Sequence, residues 1–148
     1  MSNLKNKFSI TFSALSENES FARSVISCFM LKMNPSISEL SDIKTAVSEA
    51  VTNCIVHGYG KKFGEIVMSA EIIDSCIHIN IKDYGVGIEN LDLALTPFYT
   101  TRPDDERSGM GFTIMKSFMD EVRVESIKGE GTDIYMKKRI NTDDGEKC

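Results

Sequence analysis

The segment SISELSDIKTAVSEAVTNCIVHGYG, residues 36–60, decides the fold and carries the first candidate site residues. Ser36 followed three residues later by Glu39 is the capping-box pattern of a helix start, and Gly58 supplies a C-terminal stop. Apolar residues recur between them at spacings of three and four, as on a helix with one buried face. We therefore predict one long amphipathic helix, whose buried stripe consists of Ile43, Val47, Ala50, Val51 and Cys54.

Glu49 and Asn53 lie one helical turn apart on another face of this predicted helix, which they share with Asp42 and His57. A carboxylate next to a carboxamide can act as a proton acceptor beside an oxygen ligand for a hard metal ion. A solvated helix face explains the same residues, because exposed Glu and Asn are common. The segment alone leaves both interpretations open, and the residues downstream decide between them.

The composition is that of one globular domain. The chain has 148 residues, of which 41% are apolar and 26% charged. We expect order over about residues 8–138 and a polar tail over residues 141–148. No apolar run is long enough to cross a bilayer, and residues 1–10 lack the apolar stretch of a secretion signal. The sequence therefore predicts a cytoplasmic protein without a membrane segment.

Net charge and cysteine spacing argue against two further classes of protein. A net charge of −5 disfavours direct binding to DNA, because contacts with phosphate need a positive surface. Cys28, Cys54, Cys76 and Cys148 have neither the spacing of a zinc site nor that of a thioredoxin-like redox centre. We expect reduced thiols, and a partner that is a protein or a small molecule.

The first part of the chain reads as a strand followed by a helix. Residues 8–12 alternate apolar and polar side chains, as a half-buried strand does. Ser16 and Glu19 repeat the capping-box pattern, which predicts a helix that ends before Pro35. The apolar stripe predicted for this helix consists of Phe21, Ala22, Val25, Cys28 and Phe29.

Two antiparallel hairpins are predicted further along the chain. Residues 65–83 contain two apolar runs separated by a short polar break, and residues 121–140 repeat that arrangement around a glycine-containing turn. Residues 112–122, between the hairpins, have helical spacing. The expected order is thus strand, two helices, hairpin, helix and hairpin.

Asp83 stands at the end of the first hairpin and is followed by Gly85 and Gly87. Glycine at such positions lets a ligand approach the backbone closely, or lets the chain adopt positive φ. The pattern alone is also that of a plain turn. It is not a dinucleotide-binding fingerprint, because Asn90 stands where the third glycine would be, and the chain contains no P-loop motif.

Residues 96–111, TPFYTTRPDDERSGMG, lose all periodicity. A loop of this length in a compact domain is usually functional, often as a lid over a ligand. It ends at Gly109 and Gly111, where a helix opens, and backbone N–H groups at such a helix start bind anions. Arg102 and Arg107 flank this point, which favours contact with phosphate.

Three longer motifs resemble those of a known family. They are E-A-V-T-N-x-x-x-H-G-Y over residues 49–59, R-S-G-M-G-F-T-I-M over residues 107–115 and F-S-A-L-S-E-N-E-S-F-A-R over residues 12–23. With these motifs the chain resembles the GHKL (Bergerat-fold) ATP-binding family over about residues 8–138. Within that family it is most similar to the anti-sigma serine-protein kinases of spore-forming bacteria.

The resemblance implies the fold and the adenine contacts. The fold would be an α/β (α+β) sandwich, in which a mixed, mostly antiparallel sheet carries helices on one face and ATP lies between the helices and the lid. Asp83 would accept a hydrogen bond from the adenine amino group, with Thr132 assisting. Gly85 and Gly87 would let the base lie against the backbone.

The resemblance also implies how the chain would handle phosphate. Asn53 would be a ligand of a Mg²⁺ ion that bridges the phosphates of ATP or ADP. Glu49 would be the general base that takes the proton from the attacking hydroxyl group. The remaining contacts with the phosphates would come from Thr100, Thr101, Arg107, Gly109 and Gly111.

By the same resemblance, the chain would be an ATP-dependent protein serine kinase and a homodimer. It would bind and inhibit the sporulation sigma factor F, and it would phosphorylate the anti-anti-sigma protein that competes for it. Arg23, and with it Glu19, matches a partner-docking position, although such a pair is also an ordinary surface ion pair. Two alternatives stay open: a noncatalytic module that senses nucleotide and sequesters the sigma factor, and a kinase of a stress-response sigma pathway.

Overall fold

The computed structural model describes residues 5–95 and 110–141 of the chain. Thr100, Thr101, Arg102, Arg107 and Gly109 lie outside these residues, and so do residues 142–148 of the predicted polar tail. Asn141, predicted as the first residue of that tail, is held in place, because its N–H donates to the Glu39 carboxylate at 2.8 Å. The described chain forms five strands and four α-helices. They are β1 (Lys5–Ser13), α1 (Asn18–Met30), α2 (Ile37–Asn53), β2 (Glu65–Ile73), β3 (Cys76–Asp83), α3 (Leu91–Ala94), α4 (Gly111–Phe118), β4 (Glu121–Ile127) and β5 (Gly131–Arg139).

The strands form one sheet in the order β1-β2-β3-β5-β4. Both predicted hairpins are present as β2–β3 and β4–β5, and the prediction of a mostly antiparallel sheet is confirmed. All four strand pairings are antiparallel, so the parallel pairing that a mixed sheet would include is not found in the described part of the chain. Asp74, in the β2–β3 turn, has a φ of 55°, a conformation that Asp tolerates better than most residues.

The helices pack on one face of the sheet and enclose the core. Helix α2 lies between α1 and α4 and contacts both. Alternate residues of the three central strands point toward the helices, because successive side chains of a strand face opposite sides. The fully buried members of this face are Ile66, Met68, Ile77, Ile79, Ile81, Ile134 and Met136. This layering confirms the predicted fold.

The other face of the sheet is polar, and no described helix covers it. Its side chains bond to one another across strands: a ring nitrogen of His78 lies 2.7 Å from the Tyr135 hydroxyl, and Asn80 donates to Asp133 at 2.8 Å. The Arg123 guanidinium lies 4.3 Å from the centre of the Tyr135 ring, a cation–π contact. These cross-strand contacts therefore pair several of the polar side chains on the outer face.

Helix α2 begins as its sequence predicts. The Ser36 hydroxyl accepts from the Glu39 N–H at 3.0 Å, and the Glu39 carboxylate accepts from the Ser36 N–H at 2.8 Å. The predicted apolar stripe is fully buried throughout. The end of the helix differs from the prediction, since the α-helix passes into a π-helical turn over Cys54–Gly58.

Helix α1 departs from the prediction in its start and its buried face. It begins at Asn18, and the Glu19 carboxylate accepts from the Thr52 hydroxyl of α2 at 2.8 Å instead of capping the helix with Ser16. The residues buried in the core are Ala22, Ile26 and Met30, whereas Cys28 is exposed and Phe21 is half-exposed. The cause is aromatic packing against β1: Phe21 meets Phe12 edge to face, and Phe29 meets Phe8 likewise.

The cysteines differ in state. Cys28 and Cys54 are free thiols, as expected, but Cys76 is disulfide-bonded, so the prediction of reduced thiols is wrong at that position. Within residues 5–95 and 110–141, none of the helices has the length and apolar character that a membrane span needs.

Candidate functional site

Asp83 is a fully buried carboxylate at the end of β3. It continues the inward-facing row of Ile77, Ile79 and Ile81, where another apolar residue would be expected. Burial raises the pKa of Asp83 above its ordinary value, and hydrogen bonds, first that from the Gly85 N–H, oppose the rise. A charged group in this position is costly unless it has partners.

One oxygen of Asp83 has no partner among the described residues. Oδ1 accepts from the Gly85 N–H at 2.9 Å, while Oδ2 is buried without a hydrogen bond. Buried polar atoms in folded proteins are almost always paired, and exceptions call for an explanation such as a ligand. Oδ2 is therefore a ready acceptor for a donor group brought by a bound molecule.

The end of α2 lies directly against this carboxylate. A Cβ added at Gly58 would lie 2.7 Å from Asp83 Oδ2, closer than atoms can approach. Cys54, in the same turn, is fully buried, and burial together with the Asp83 charge raises the pKa of its thiol well above its ordinary value. The π-helical turn thus forms one wall of the space around Asp83, and glycine at position 58 keeps that space open.

Gly85 and Gly87 are explained by contacts within the protein. A Cβ at Gly85 would lie 2.0 Å from the Gly58 carbonyl oxygen, and the next residue, Val86, donates its N–H to that same oxygen at 2.9 Å. Gly87 has a φ of 75°, and a Cβ there would lie 2.3 Å from the Ile127 carbonyl oxygen. Close approach of a nucleotide base to these glycines stays a prediction.

Thr132 lies opposite Asp83 in the pairing of β3 with β5 and is almost fully buried. The structure thus brings together two residues that are far apart in the chain. The Thr132 hydroxyl lies 2.8 Å from the Ser126 hydroxyl of β4, which also accepts from the Ile88 N–H at 2.6 Å. Thr132 is therefore held beside Asp83 by a neighbour that the sequence did not single out.

Glu49 and Asn53 lie one turn apart on α2, as predicted, and both are half-buried. Asn53 directly precedes Cys54, so its backbone lies at the end of the helix that touches Asp83. Glu49 lines a groove of about 430 Å³ beside α2, which Glu19, Arg23, Ser48 and Thr52 also line. Glu49 thus lines the groove beside α2, and Asn53 lies at the end of the same helix that is next to Asp83.

Glu19 and Arg23 each bond across from α1 to α2. Arg23 donates to the Ser48 hydroxyl at 2.7 Å, and Glu19 accepts from Thr52 at 2.8 Å. These bonds give both side chains a structural role in joining the helices. A docking role for Arg23 and Glu19 stays a prediction, and their exposure in the groove is compatible with it.

Helix α4 begins at Gly111, where the sequence predicts a helix start. Met110 occupies the N-cap position and supplies no side-chain hydrogen bond to the first turn. The N–H groups of that turn therefore have no capping side chain, which is the condition for binding an anion. The predicted phosphate contacts of Thr100, Thr101, Arg107 and Gly109 lie outside the described residues.

The donor groups near Asp83 and Asn53 fit a nucleotide better than a metal ion alone. In the two described stretches, no group of three or more His, Cys, Asp and Glu side chains could hold a metal ion. Mg²⁺ commonly takes only one or two protein ligands and completes its shell with water and substrate phosphate. A single amide ligand such as Asn53 therefore fits Mg²⁺ only together with a nucleotide, while Asp83 Oδ2 fits a ligand amino group.

Three residues of this region were missed in the sequence. Ser126 sits in an ordinary strand pattern and carries no local signal. The sequence predicts Gly58 only as a helix stop, although it belongs to the H-G-Y motif at residues 57–59. Tyr59 donates to the Glu65 carbonyl at 2.5 Å and accepts from the Tyr84 N–H at 2.8 Å, which fixes the residue after Asp83.

Comparison with protein families and known proteins gives a consistent result. The family model described as histidine kinase-like ATPase domain matches residues 12–138. An anti-sigma F factor of Clostridium acetobutylicum is 54% identical over 137 residues, which cover 93% of this chain and 96% of that protein. The anti-sigma F factor of Priestia megaterium is 51% identical over 139 residues, with 93% and 95% covered.

Solved structures support the fold. The RsbU and RsbW domains of a Mycobacterium tuberculosis protein superpose with a TM-score of 0.66 at 21% identity, covering 91% of this chain and 32% of that one. The catalytic domain of the histidine kinase ThkA gives a TM-score of 0.55 at 17% identity, with 90% and 97% covered. At such identities the likeness concerns the fold alone.

Proposed function

Because this chain belongs to the histidine kinase-like ATPase domain family and, within it, to the anti-sigma F factors, we propose that it is an anti-sigma factor that binds and inhibits sigma factor F. We further propose that it uses Mg²⁺-ATP to phosphorylate a serine of the anti-anti-sigma protein that opposes it. The observation that carries the nucleotide part is the unpaired, fully buried oxygen of Asp83.

Asp83 would recognise the adenine base. An ionised carboxylate is purely an acceptor, so Oδ2 suits the adenine amino group and repels the carbonyl oxygen that guanine carries at the same position. The missing side chain at Gly58 leaves room for that edge of the base. Thr132 would assist through its hydroxyl group or a water molecule.

The phosphates would lie toward the end of α2 and the start of α4. Asn53 would give its side-chain oxygen to Mg²⁺, which supplies neutralisation of phosphate charge when bound. The N–H groups at Gly111 would bind phosphate oxygens, together with Thr100, Thr101, Arg107 and Gly109. Phosphoryl transfer depends mainly on such positioning and charge stabilisation.

Glu49 would be the general base of the kinase reaction. It would accept the proton of the serine hydroxyl while the serine oxygen bonds to the terminal phosphorus and the bond to ADP breaks. The groove supports this role over a noncatalytic module, because Glu49 shares it with the predicted docking residues Glu19 and Arg23. A protein docked along the groove would therefore lie next to the proposed base.

The test is incubation with Mg-ATP and the candidate anti-anti-sigma protein, followed by mass spectrometry for phosphoserine. We expect one phosphoserine with the wild type and, for Glu49→Gln, a loss of about a hundredfold or more in transfer rate, with unchanged affinities for ATP and sigma factor. Glu125→Gln, an exposed acid on β4, is the matched control. Equal transfer by Glu49→Gln and wild type would remove Glu49 as the base, and no transfer by the wild type would favour the noncatalytic module.

A further inference from the structure

The Ser126 hydroxyl joins three parts of the chain around the candidate adenine site. Ser126 lies half-buried on β4, directly opposite Thr132 in the β4–β5 pairing. Its oxygen accepts from the Ile88 N–H at 2.6 Å, and it lies 3.1 Å from the Gly131 carbonyl oxygen and 2.8 Å from the Thr132 hydroxyl. One small side chain thus connects the loop after β3 to both strands of the last hairpin.

Each hydroxyl group has only one proton to donate, and this determines the direction of the hydrogen bonds around Ser126. A hydroxyl group donates one proton and accepts through two lone pairs. All three contacts are satisfied together when Ser126 donates to the Gly131 carbonyl and accepts from Ile88 and from Thr132. The Thr132 proton then points to Ser126, so Thr132 presents only acceptor lone pairs toward its other side. That polarity matches the neighbouring Asp83 oxygen and suits an amino group or a water molecule.

The loop that Ser126 holds is the one that follows Asp83. Other contacts of this loop with the hairpin include the Gly129 N–H donating to the Val86 carbonyl at 2.7 Å and an ion pair of Lys128 with Glu89 at 3.0 Å. The ion pair is exposed and worth little. The Ser126 contact differs from both, because it is partly buried and reaches Thr132 as well.

We propose that Ser126 is a positioning residue of the nucleotide site, which fixes the loop at Ile88 and sets the hydrogen-bond polarity of Thr132. The inference rests on the nucleotide binding proposed above. Ser126 itself need not touch the nucleotide: its effect passes through Thr132 and the loop backbone. Its removal should therefore weaken adenine recognition and reduce the preference for ATP over GTP, since a released Thr132 hydroxyl can turn its proton toward the guanine carbonyl oxygen.

The test is calorimetric titration of the full chain with ATP and with GTP. We expect Ser126→Ala to weaken ATP binding by about three- to tenfold, the effect of one or two hydrogen bonds, and to lower the ATP-to-GTP affinity ratio. Ser126→Thr keeps the hydroxyl and should restore both values. Ser69→Ala, a half-buried serine on the outer face of β2, is the matched control and should leave both unchanged.

A second measurement tests the contact of Ser126 with the loop separately from nucleotide binding. Hydrogen exchange followed by NMR should show faster exchange of the Ile88 N–H in Ser126→Ala without nucleotide. If Ser126→Ala does not fold, Ser126→Cys, which is nearly the same size, should show the same losses to a smaller extent. Wild-type ATP affinity and selectivity in a folded Ser126→Ala would overturn the inference alone, whereas a wild type that binds no ATP would overturn the proposed function.

Discussion

At the scale of single residues, Asp83 is the position where structure and proposed chemistry depend most directly on each other. Its burial costs stability, because a carboxylate is removed from water, and the Gly85 N–H offsets part of that cost. The unpaired oxygen is available to a ligand for the same reason. A residue that is unfavourable for the empty protein and favourable for the complex is typical of a binding site.

We predict that Asp83→Asn reduces ATP affinity by about tenfold to a hundredfold, the range for losing a hydrogen bond to a charged group. The asparagine can also turn an N–H₂ group toward the adenine amino group, where donor faces donor. Calorimetry measures the effect, with Asp74→Asn in the exposed β2–β3 turn as the control. Wild-type affinity in Asp83→Asn would rule out the adenine contact.

The raised pKa of Asp83 also predicts a pH dependence of stability. In the folded state the pKa of Asp83 lies above its ordinary value of 3.8. The folded state therefore holds more protons than the unfolded state between these two values, and stability falls as pH rises through that window. Above it, the full cost of the buried charge is present.

We therefore expect Asp83→Asn to be at least as stable as the wild type at pH 7 without nucleotide, and to lose that advantage as the pH is lowered toward 3.8. Urea unfolding of both proteins at several pH values measures the difference in their free energies of unfolding. The other titrating groups are the same in both proteins, so their contributions cancel in this difference. A stability difference that does not change with pH would show that Asp83 is not the buried, titrating carboxylate described above.

At the scale of elements, helix α2 combines the framework of the core with the wall of the site. Its apolar stripe and capping box were predicted correctly because both are local patterns of spacing. Its π-helical turn was not predicted, because the turn depends on how the helix end fits against Asp83 and the loop after β3. A π-helical turn near a candidate site agrees with the frequent occurrence of such turns at functional sites.

We predict that Gly58→Ala destabilises the protein by about 1–3 kcal/mol and reduces ATP affinity at least tenfold, because the new methyl group overlaps Asp83 Oδ2. Helix propensity alone would make alanine the more stabilising residue. A loss of stability in Gly58→Ala would therefore point to the overlap with Asp83. Urea unfolding and calorimetry measure the two effects. Adding Asp83→Ala should recover the stability but not the ATP affinity; failure to recover stability would place the clash elsewhere.

At the scale of the whole molecule, the sequence predicted the layers and the structure supplied the contacts between them. Apart from the short helix α3, which was not predicted, the order of strands and helices, both hairpins and the one-sided helix layer follow from periodicity and from the family resemblance. The buried face of α1 was predicted only in part: Ala22 is buried, whereas Phe21 and Phe29 pack on aromatic rings of β1 at the side of the core. Ser126 and Gly58 could not be identified, since their roles exist only when distant strands and a helix end meet.

The groove beside α2 and the Asp83 site use different parts of the helix layer, so the binding of a protein partner and the binding of adenine should be separable. We predict that Arg23→Ala weakens binding of sigma factor F at least tenfold and leaves ATP affinity unchanged. Ser48→Ala removes the same hydrogen bond but keeps the cation, and it should weaken sigma binding by less than about threefold. Surface plasmon resonance measures both; equal losses would mean that Arg23 acts only by joining the helices.

The polar side of the sheet, with its His78–Tyr135 and Asn80–Asp133 contacts, has a practical consequence. Both proposed recognition events take place among the helices, on the opposite side of the molecule. A dye, spin label or immobilising tether attached through this side would leave nucleotide and protein partners unobstructed. A preparation labelled in this way could report nucleotide binding and partner binding one after the other. It would reveal whether the first binding event alters the affinity for the second ligand.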